Sequence, residues 1–427
     1  MHPSRITDRR AARPLRLLLL LGNWTGGGAE RVAVHLMNGL HGATFGRREP
    51  RAPVAVHLGL LHDGLAWRDQ LDPARVHVAP DAARFGFDRP NHELFGPAAI
   101  ATGAMHAPRA IRRIIAQVRP DVVMSFLKGT ALLTWLALSG LPRHVPRPRW
   151  IIREGNNILA TAAQETPGAL LRSASLALTA RAYRRADAVV AVAHGMARDL
   201  PHQFGLDPAR IHAINNPVDI AAIEQAASLP APDLPARPYI LAVGRLEWQK
   251  GHDLLLAAFA RSGFAATHEL VILGEGSQIG ALRRLARELG VADRVRFTGF
   301  TANPHAWMSA AELFVLPSRW EGFPNAAAEA MAAGAPLLLA DCSYGAADLV
   351  QTGINGTLVP VGNVDALAAA IAGLLADPAL RARHSAAGRR YVRRFAREQI
   401  VAHYASLVTA VAADPAPQTE RLTFVPA

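Results

Sequence analysis

Short apolar runs alternate with stretches of helical spacing along almost the whole chain. Leu15 to Leu21, Val54 to Leu58, Val122 to Phe126, Trp150 to Arg153, Ala188 to Ala193 and Ile211 to Ile214 read as strands. Helical patterns follow the first run to about Leu40 and then cover Pro97 to Val118, Thr130 to Leu138, Ala169 to Ala186 and Gly195 to Phe204. Strands alternating with helices predict a parallel, doubly wound α/β sheet. Asn215-Asn216-Pro217-Val218-Asp219 ends this series in turn chemistry. After a short helix, Ser228 to Pro238 holds four prolines and no sustained period, which marks an interdomain linker.

The alternation restarts at Tyr239 to Val243, with the loop Gly244 to Gly251 and a helix to about Ala260. Leu270 to Leu273, a helix to Leu289, and Val295 to Phe297 follow. Next come a strand Leu313 to Leu316, a loop Pro317 to Pro324, a helix Asn325 to Ala333 stopped by Gly334, and a strand Pro336 to Ala340. A strand and loop from Gly356 to Gly362 precede a helix Val364 to Leu375, and a long basic helix runs from about Leu380 to Val411. The expected domains are therefore 15–227 and 238–379, with a C-terminal helix over 380–412 that could pack back on the first. Met1 to Pro14, rich in Arg and Pro, is expected to be loosely held. Ligands of open α/β sheets lie at the carboxyl ends of the strands, so two such domains facing each other would enclose a site in the cleft between them.

At 427 residues, half of them hydrophobic, the chain can bury a sizeable core. Its net charge of +12 is uneven: residues 1–225 hold 28 Lys+Arg against 17 Asp+Glu, +11, which leaves 18 against 17, +1, for the rest. That basic half suits an anionic membrane surface, a phosphorylated acceptor or nucleic acid, and equally suits a protein that uses arginine only for solubility. No zinc-finger, RNA-binding sheet or basic-aromatic pattern is present, which argues against nucleic acid. The single Cys342 excludes an internal disulfide and suits a reducing, cytoplasmic compartment. The run Leu17 to Gly22 is too short to span a bilayer, and no other reaches that length, so any membrane contact would be peripheral.

Chemistry concentrates in the second half. A strand end, a Gly/Pro loop and a helix N-terminus in that order make an anion site from unpaired N–H groups and the helix dipole. Glu321 and Glu329 frame this one. Carboxylates there would repel phosphate but can accept hydrogen bonds from hydroxyls, as an acidic residue does from a ribose. An ordinary surface Glu and helix-face Glu would look the same. Arg245 and Lys250, five residues apart, can converge on one diphosphate, the first as a fork and the second as a point charge. Lys250 is one of only two lysines, with Lys128.

Together these residues resemble the retaining glycosyltransferases of family 4, which have a GT-B fold of two facing Rossmann-like domains. The resemblance rests on Gly27-Gly28-Ala29-Glu30-Arg31, Val243-Gly244-Arg245-Leu246 with Lys250-Gly251, Gly274-Glu275-Gly276, Phe297-Thr298-Gly299, and Glu321 with Glu329 at the family's E-x7-E spacing. Asn216-Pro217-Val218-Asp219 and Asn355-Gly356 add to it, and it covers about residues 15 to 395. It implies a nucleotide-sugar donor, UDP-linked, and a lipid-linked or polysaccharide-precursor acceptor at the inner face of the plasma membrane, with no cofactor and no metal. Arg245 and Lys250 would hold the diphosphate, Gly244 beside them; Glu329 the ribose; Glu321 the donor sugar. The backbone of Gly322, Phe323, Pro324 and Asn325 would cradle phosphate or sugar, Gly299 and Phe300 would line the base, and Gly27 and Gly28 would close on the phosphates. Where many members carry a His, this chain has Arg153-Glu154-Gly155-Asn156-Asn157, which makes Glu154 the candidate for an acceptor or donor-sugar contact. Ala193-His194-Gly195 stands where Ser-x-Gly is common. A soluble acceptor, or a silent nucleotide- or glycan-binding module, are the alternatives.

Overall fold

The structure, a computed structural model, describes residues 13–22, 27–43, 53–62, 68–79, 97–166, 168–231 and 233–413, with the backbone alone for 97–105. All but the end of the segment Met1 to Pro14 lies outside the described residues, as does the Pro-containing tail.

In the first half, β1 (Leu15–Leu21) leads into α1 (Gly28–Leu40), and β2 (Val54–Leu60) and β3 (Val76–Val78) precede α2 (Pro97–Val118). Then come β4 (Val122–Phe126), α3 (Leu127–Ser139), β5 (Arg149–Glu154), α4 (Ile158–Glu165), α5 (Ala169–Tyr183), β6 (Ala188–Ala191), α6 (His194–Phe204), β7 (Ile211–Ala213) and α7 (Ile220–Ala227). The sheet order is β3-β2-β1-β4-β5-β6-β7, and β1 pairs parallel to both β2 and β4. Leu17 to Leu21 are buried, as a strand covered by helices on both faces requires.

The second half runs β8 (Tyr239–Val243), α8 (His252–Arg261), β9 (Glu269–Leu273), α9 (Ile279–Glu288), β10 (Val295–Gly299), α10 (Pro304–Ala310), β11 (Leu313–Leu316) and α11 (Asn325–Ala333). It continues with β12 (Leu337–Ala340), α12 (Gly345–Leu349), β13 (Thr357–Val359), α13 (Val364–Ala376), α14 (Pro378–Tyr391) and α15 (Arg397–Ala413). Its strands are parallel in the order β10-β9-β8-β11-β12-β13. That is the doubly wound arrangement, whose direction reverses between β8 and β11. Ile240, Leu256, Phe259, Ile272, Leu313 and Ile371 belong to one core beneath it. By compactness the chain divides into a unit up to Ile152 with Arg181–Val189 and the segment from Ala402, and a unit of Arg153–Ala180 and Val190–Val401.

Several elements differ from the sequence reading. The strand β3 and the helices α4, α10 and α12 were not anticipated, being short or lacking a period. The expected single C-terminal helix is two, α14 and α15, separated by a tight turn at Val392–Phe395. Neither Gly nor Pro marks the break. Val218 causes it from 177 residues away in sequence: its N–H donates to Phe395 O (2.8 Å) and its carbonyl accepts from Arg397 N (2.9 Å). The Arg397 guanidinium then pairs with Asp219.

The loops after β8, β9 and β10 are sewn together edge to edge. Gly244 N donates to Leu273 O (3.0 Å), Leu246 N to Glu275 O (2.8 Å) and Gly274 N to Gly299 O (2.8 Å). Gly274 sits at φ +138°, and a Cβ there would lie 2.1 Å from Gly244 O. No side chain tolerates both conditions. Gly274→Ala should therefore lower stability by about 1–3 kcal/mol or more, read as a fall in thermal midpoint; an unchanged midpoint would show that these loops are not held as described.

Candidate active site

The site grows from the reversal of strand order. β8 and β11 are neighbours with their following helices on opposite faces, so the loops 244–251 and 317–324 leave the sheet side by side. The first contains the turn Trp248–Lys250, closed by Gly251 at φ +69°. A Cβ on Gly251 would stand 2.2 Å from Pro317 O, so only glycine lets the two loops touch.

Across that contact Lys250 Nζ donates to Glu321 Oε1 at 2.6 Å. Ser318 Oγ donates to the same oxygen at 2.7 Å. Glu321 is only 5 % exposed. A buried carboxylate is costly unless paired and hydrogen-bonded, and both conditions are met. Oε1 is thus taken twice, and neither of these two bonds uses Oε2. The ammonium has three donors and spends one on Glu321, which leaves others for an anion.

Further tethers hold the second loop. Arg319 N donates to Gln249 O (2.8 Å) and Gln249 Nε2 to Trp320 O (2.9 Å). The Arg319 guanidinium grips both oxygens of Asp253 (2.9 and 2.6 Å) and lies 4.4 Å from the centre of the Trp248 ring. Cys342, near Glu321, has its thiol pushed up to about 12 by burial first and the Glu321 charge second. It is an inert packing residue.

Of the other residues singled out in the sequence, Arg245 is exposed in the loop that follows β8. Glu329, on α11, has its carboxylate 3.4 Å from His305 Nε2 on α10. Gly299 takes φ +73°, and Phe300 is exposed, with its N–H directed at Glu275 (3.4 Å). Gly322, Phe323 and Pro324 are buried, and Phe323 packs edge-on against Phe395, so only backbone of that segment could meet a ligand. A Cβ on Gly322 would lie 2.1 Å from Gly155 O. Asn325 Oδ1 accepts from Asn216 Nδ2 (2.7 Å), whose own carbonyl oxygen accepts from the buried Arg153. Glu154, 1 % exposed, turns one oxygen back onto the N–H groups of Gly155 and Asn156 (both 2.9 Å). It caps its own loop. Gly27 and Gly28 lie at the start of α1 in the first unit, where the Glu30 carboxylate accepts from Gly27 N.

The sequence did not point to Ser318, His305, His252 or the Asn216–Asn325 link. Nothing local marks His305 or the Asn216–Asn325 link, which are defined by partners in other elements, and Ser318 is marked only by its bond to Glu321 three residues on.

Two family profiles match almost end to end: Glycosyltransferase Family 4 over residues 26–222 and Glycosyl transferases group 1 over residues 231–391. A lipopolysaccharide core biosynthesis mannosyltransferase, LpcC, of Rhizobium leguminosarum bv. viciae is 31% identical over 285 residues, 61% of this chain and 78% of that protein. The N-acetylgalactosamine-N,N'-diacetylbacillosaminyl-diphospho-undecaprenol 4-alpha-N-acetylgalactosaminyltransferase of Campylobacter jejuni is 33% identical over 200 residues, 47% of this chain. The matched part spans about half, 53%, of that relative's length. Among solved structures, Anabaena Alr3699/HepE in complex with UDP superposes with a TM-score of 0.70, covering 93% of this chain and 100% of that one at 20% identity, and so shares the GT-B fold.

His252, at the head of α8, is held neutral: burial and then the Lys250 charge lower its pKa to about 4 from 6.5. As pH falls below 6.5 the unfolded chain takes up a proton that the folded chain refuses until about 4, so stability is lost over that window. Between pH 7 and 4.5 the loss due to this ring is about 2–3 kcal/mol. Urea unfolding of His252→Leu should show a correspondingly flatter pH profile than the parent; identical slopes would count against the assignment.

Proposed function

The chain belongs to the group 1, family 4 glycosyltransferases, and from that footing we propose that it transfers a sugar, with retention, from a UDP-linked donor to a lipid-linked or polysaccharide-precursor glycan. The carrying observation is the Lys250–Glu321–Ser318 cluster at the carboxyl ends of β8 and β11, with an exposed Arg245 earlier in the loop that carries Lys250. In glycosyl transfer the bond from the sugar's anomeric carbon to the diphosphate breaks as an oxocarbenium-like state forms. Negative charge grows on the leaving diphosphate. The remaining N–H groups of Lys250 and the guanidinium of Arg245 are fixed positive charge for it. Glu321 Oε2 is an acceptor for donor-sugar hydroxyls, and Glu329 for those of the ribose. The acceptor hydroxyl bonds to the anomeric carbon on the face the diphosphate leaves, and its proton passes to the departing phosphate oxygen.

Several features support the acceptor class. The relatives from Rhizobium and Campylobacter are named for lipopolysaccharide core and diphospho-undecaprenol substrates. No described helix is long and apolar enough to cross a membrane. Peripheral contact of the basic first half with the inner, anionic face of the plasma membrane fits such an acceptor. Charge neutralisation by Lys250 and Arg245 gives the reaction its electrostatic support without assigning a role to a metal.

The test is a thermal-shift panel of UDP, GDP, ADP and their sugar conjugates, with and without EDTA. A nucleotide at about a hundred times its dissociation constant should stabilise by roughly 2.7 kcal/mol. The expected result is a shift with UDP compounds that survives EDTA; a shift with GDP or ADP compounds alone, or none, would overturn the donor assignment. Kinetics complete it: Lys250→Ala and Glu329→Ala should each cut turnover about a hundredfold. Parental rates in both variants would remove these residues from the site.

A further inference from the structure

We propose that the outward face of α5 docks on an anionic lipid bilayer, its leucines set among the headgroups and its arginines against lipid phosphates. The inference deepens the lipid-linked acceptor reading and rests on it for its purpose; its observations are independent of the donor site.

Helix α5 is apolar on the wrong side. Leu170 is 84 % exposed, Leu171 64 % and Leu178 51 %. Leu170, Ala174, Ala177, Leu178 and Arg181 recur at helical spacing on one exposed stripe. The opposite side is covered, with Thr179, Ala182 and Tyr183 buried. From Thr166 to Ala186 there are four arginines, Arg172, Arg181, Arg184 and Arg185, and no Asp or Glu.

The other basic helix shows what an ordinary case looks like. On α2, Ile111, Ile114, Ile115 and Val118 are buried and Arg109 and Arg113 face solvent. Among the described side chains of α2, those from His106 on, every large apolar residue is spent on the core. Exposed leucines flanked by cations on a helix that itself carries no acid, the nearest being Glu165 and Asp187 on either side, mark an interfacial helix. At 15 residues α5 is about 22 Å long, short of the roughly 30 Å of a hydrocarbon core, so it can lie on a membrane but not span it. A second copy of the chain is the less suitable occupant. A two-fold interface would set the same arginines against each other with no carboxylate between them.

Co-sedimentation of the full chain with vesicles tests the proposal. Phosphatidylcholine vesicles doped with phosphatidylglycerol should bind it, phosphatidylcholine alone should bind it weakly, and salt should reduce the difference. The combined variant Leu170→Ser, Leu171→Ser, Leu178→Ser should lose about tenfold or more in partitioning, with an unchanged thermal midpoint. Arg181→Gln with Arg185→Gln, a second and milder variant, should lose most of the preference for anionic vesicles. Absence of binding by the parent chain, or parental binding by the leucine variant, would overturn the inference. So would a parent dimer that the leucine variant converts to monomer, since the face would then belong to a second copy. Vesicle binding without any nucleotide shift would sink the donor reading and leave this one standing; the reverse result would do the opposite.

Discussion

Everything near the reversal point of the second sheet depends on one buried ion pair. Lys250 and Glu321 face each other at 2.6 Å with little solvent between. Taking two charges out of water costs several kcal/mol for each, and their attraction offsets this only with good geometry and further hydrogen bonds. Ser318 supplies the extra bond on the carboxylate. The pair also spans the seam between the loops of β8 and β11, where Gly251 lets backbone meet backbone. Removing either charge would leave the other stranded in a buried place. A lysine suits this better than an arginine: a compact ammonium can hold a carboxylate with one N–H and still present others elsewhere, whereas a guanidinium fork would be taken up by the carboxylate.

What could be read from the sequence was local. The alternation of apolar runs and helical periods led to both parallel sheets, and the helix Asn325 to Ala333 with its stop at Gly334 lies where propensity and glycine place it. The loop residues Lys250 and Glu321 are brought together because parallel strands deliver their following loops to one edge. What could not be read was pairing at a distance. His305 meets Glu329, Asn216 meets Asn325, and Val218 breaks the C-terminal helix, and none of these carries a signature in its own neighbourhood. Hydrophobic period reports which face of an element is covered, not which side chain it meets.

The two basic helices make the same point about surfaces. In sequence α2 and α5 both interleave arginine with apolar residues. In three dimensions the described side chains of α2 use their apolar face for the core, and α5 turns leucines outward. The difference lies in what the rest of the fold covers, so composition could suggest a membrane surface but could not choose the helix.

Glycine is ambiguous in the same way, and at Gly322 the structure resolves it. A glycine before a helix N-terminus reads as room for a ligand to approach the backbone. At Gly322 that room is filled by Gly155 O, and the neighbouring Asn325 is tied through Asn216 to Arg153. The segment before α11 is therefore clamped by protein before any ligand arrives. Its backbone donors can still act on a phosphate, but as fixed dipoles that cost no reorganisation when charge develops. Lys250 is fixed by Glu321 in the same manner. Arg245, exposed beside its loop, keeps its side-chain freedom. Of the two cations, then, the lysine is preorganised, and in the proposed donor site the arginine is the one that a diphosphate would have to order.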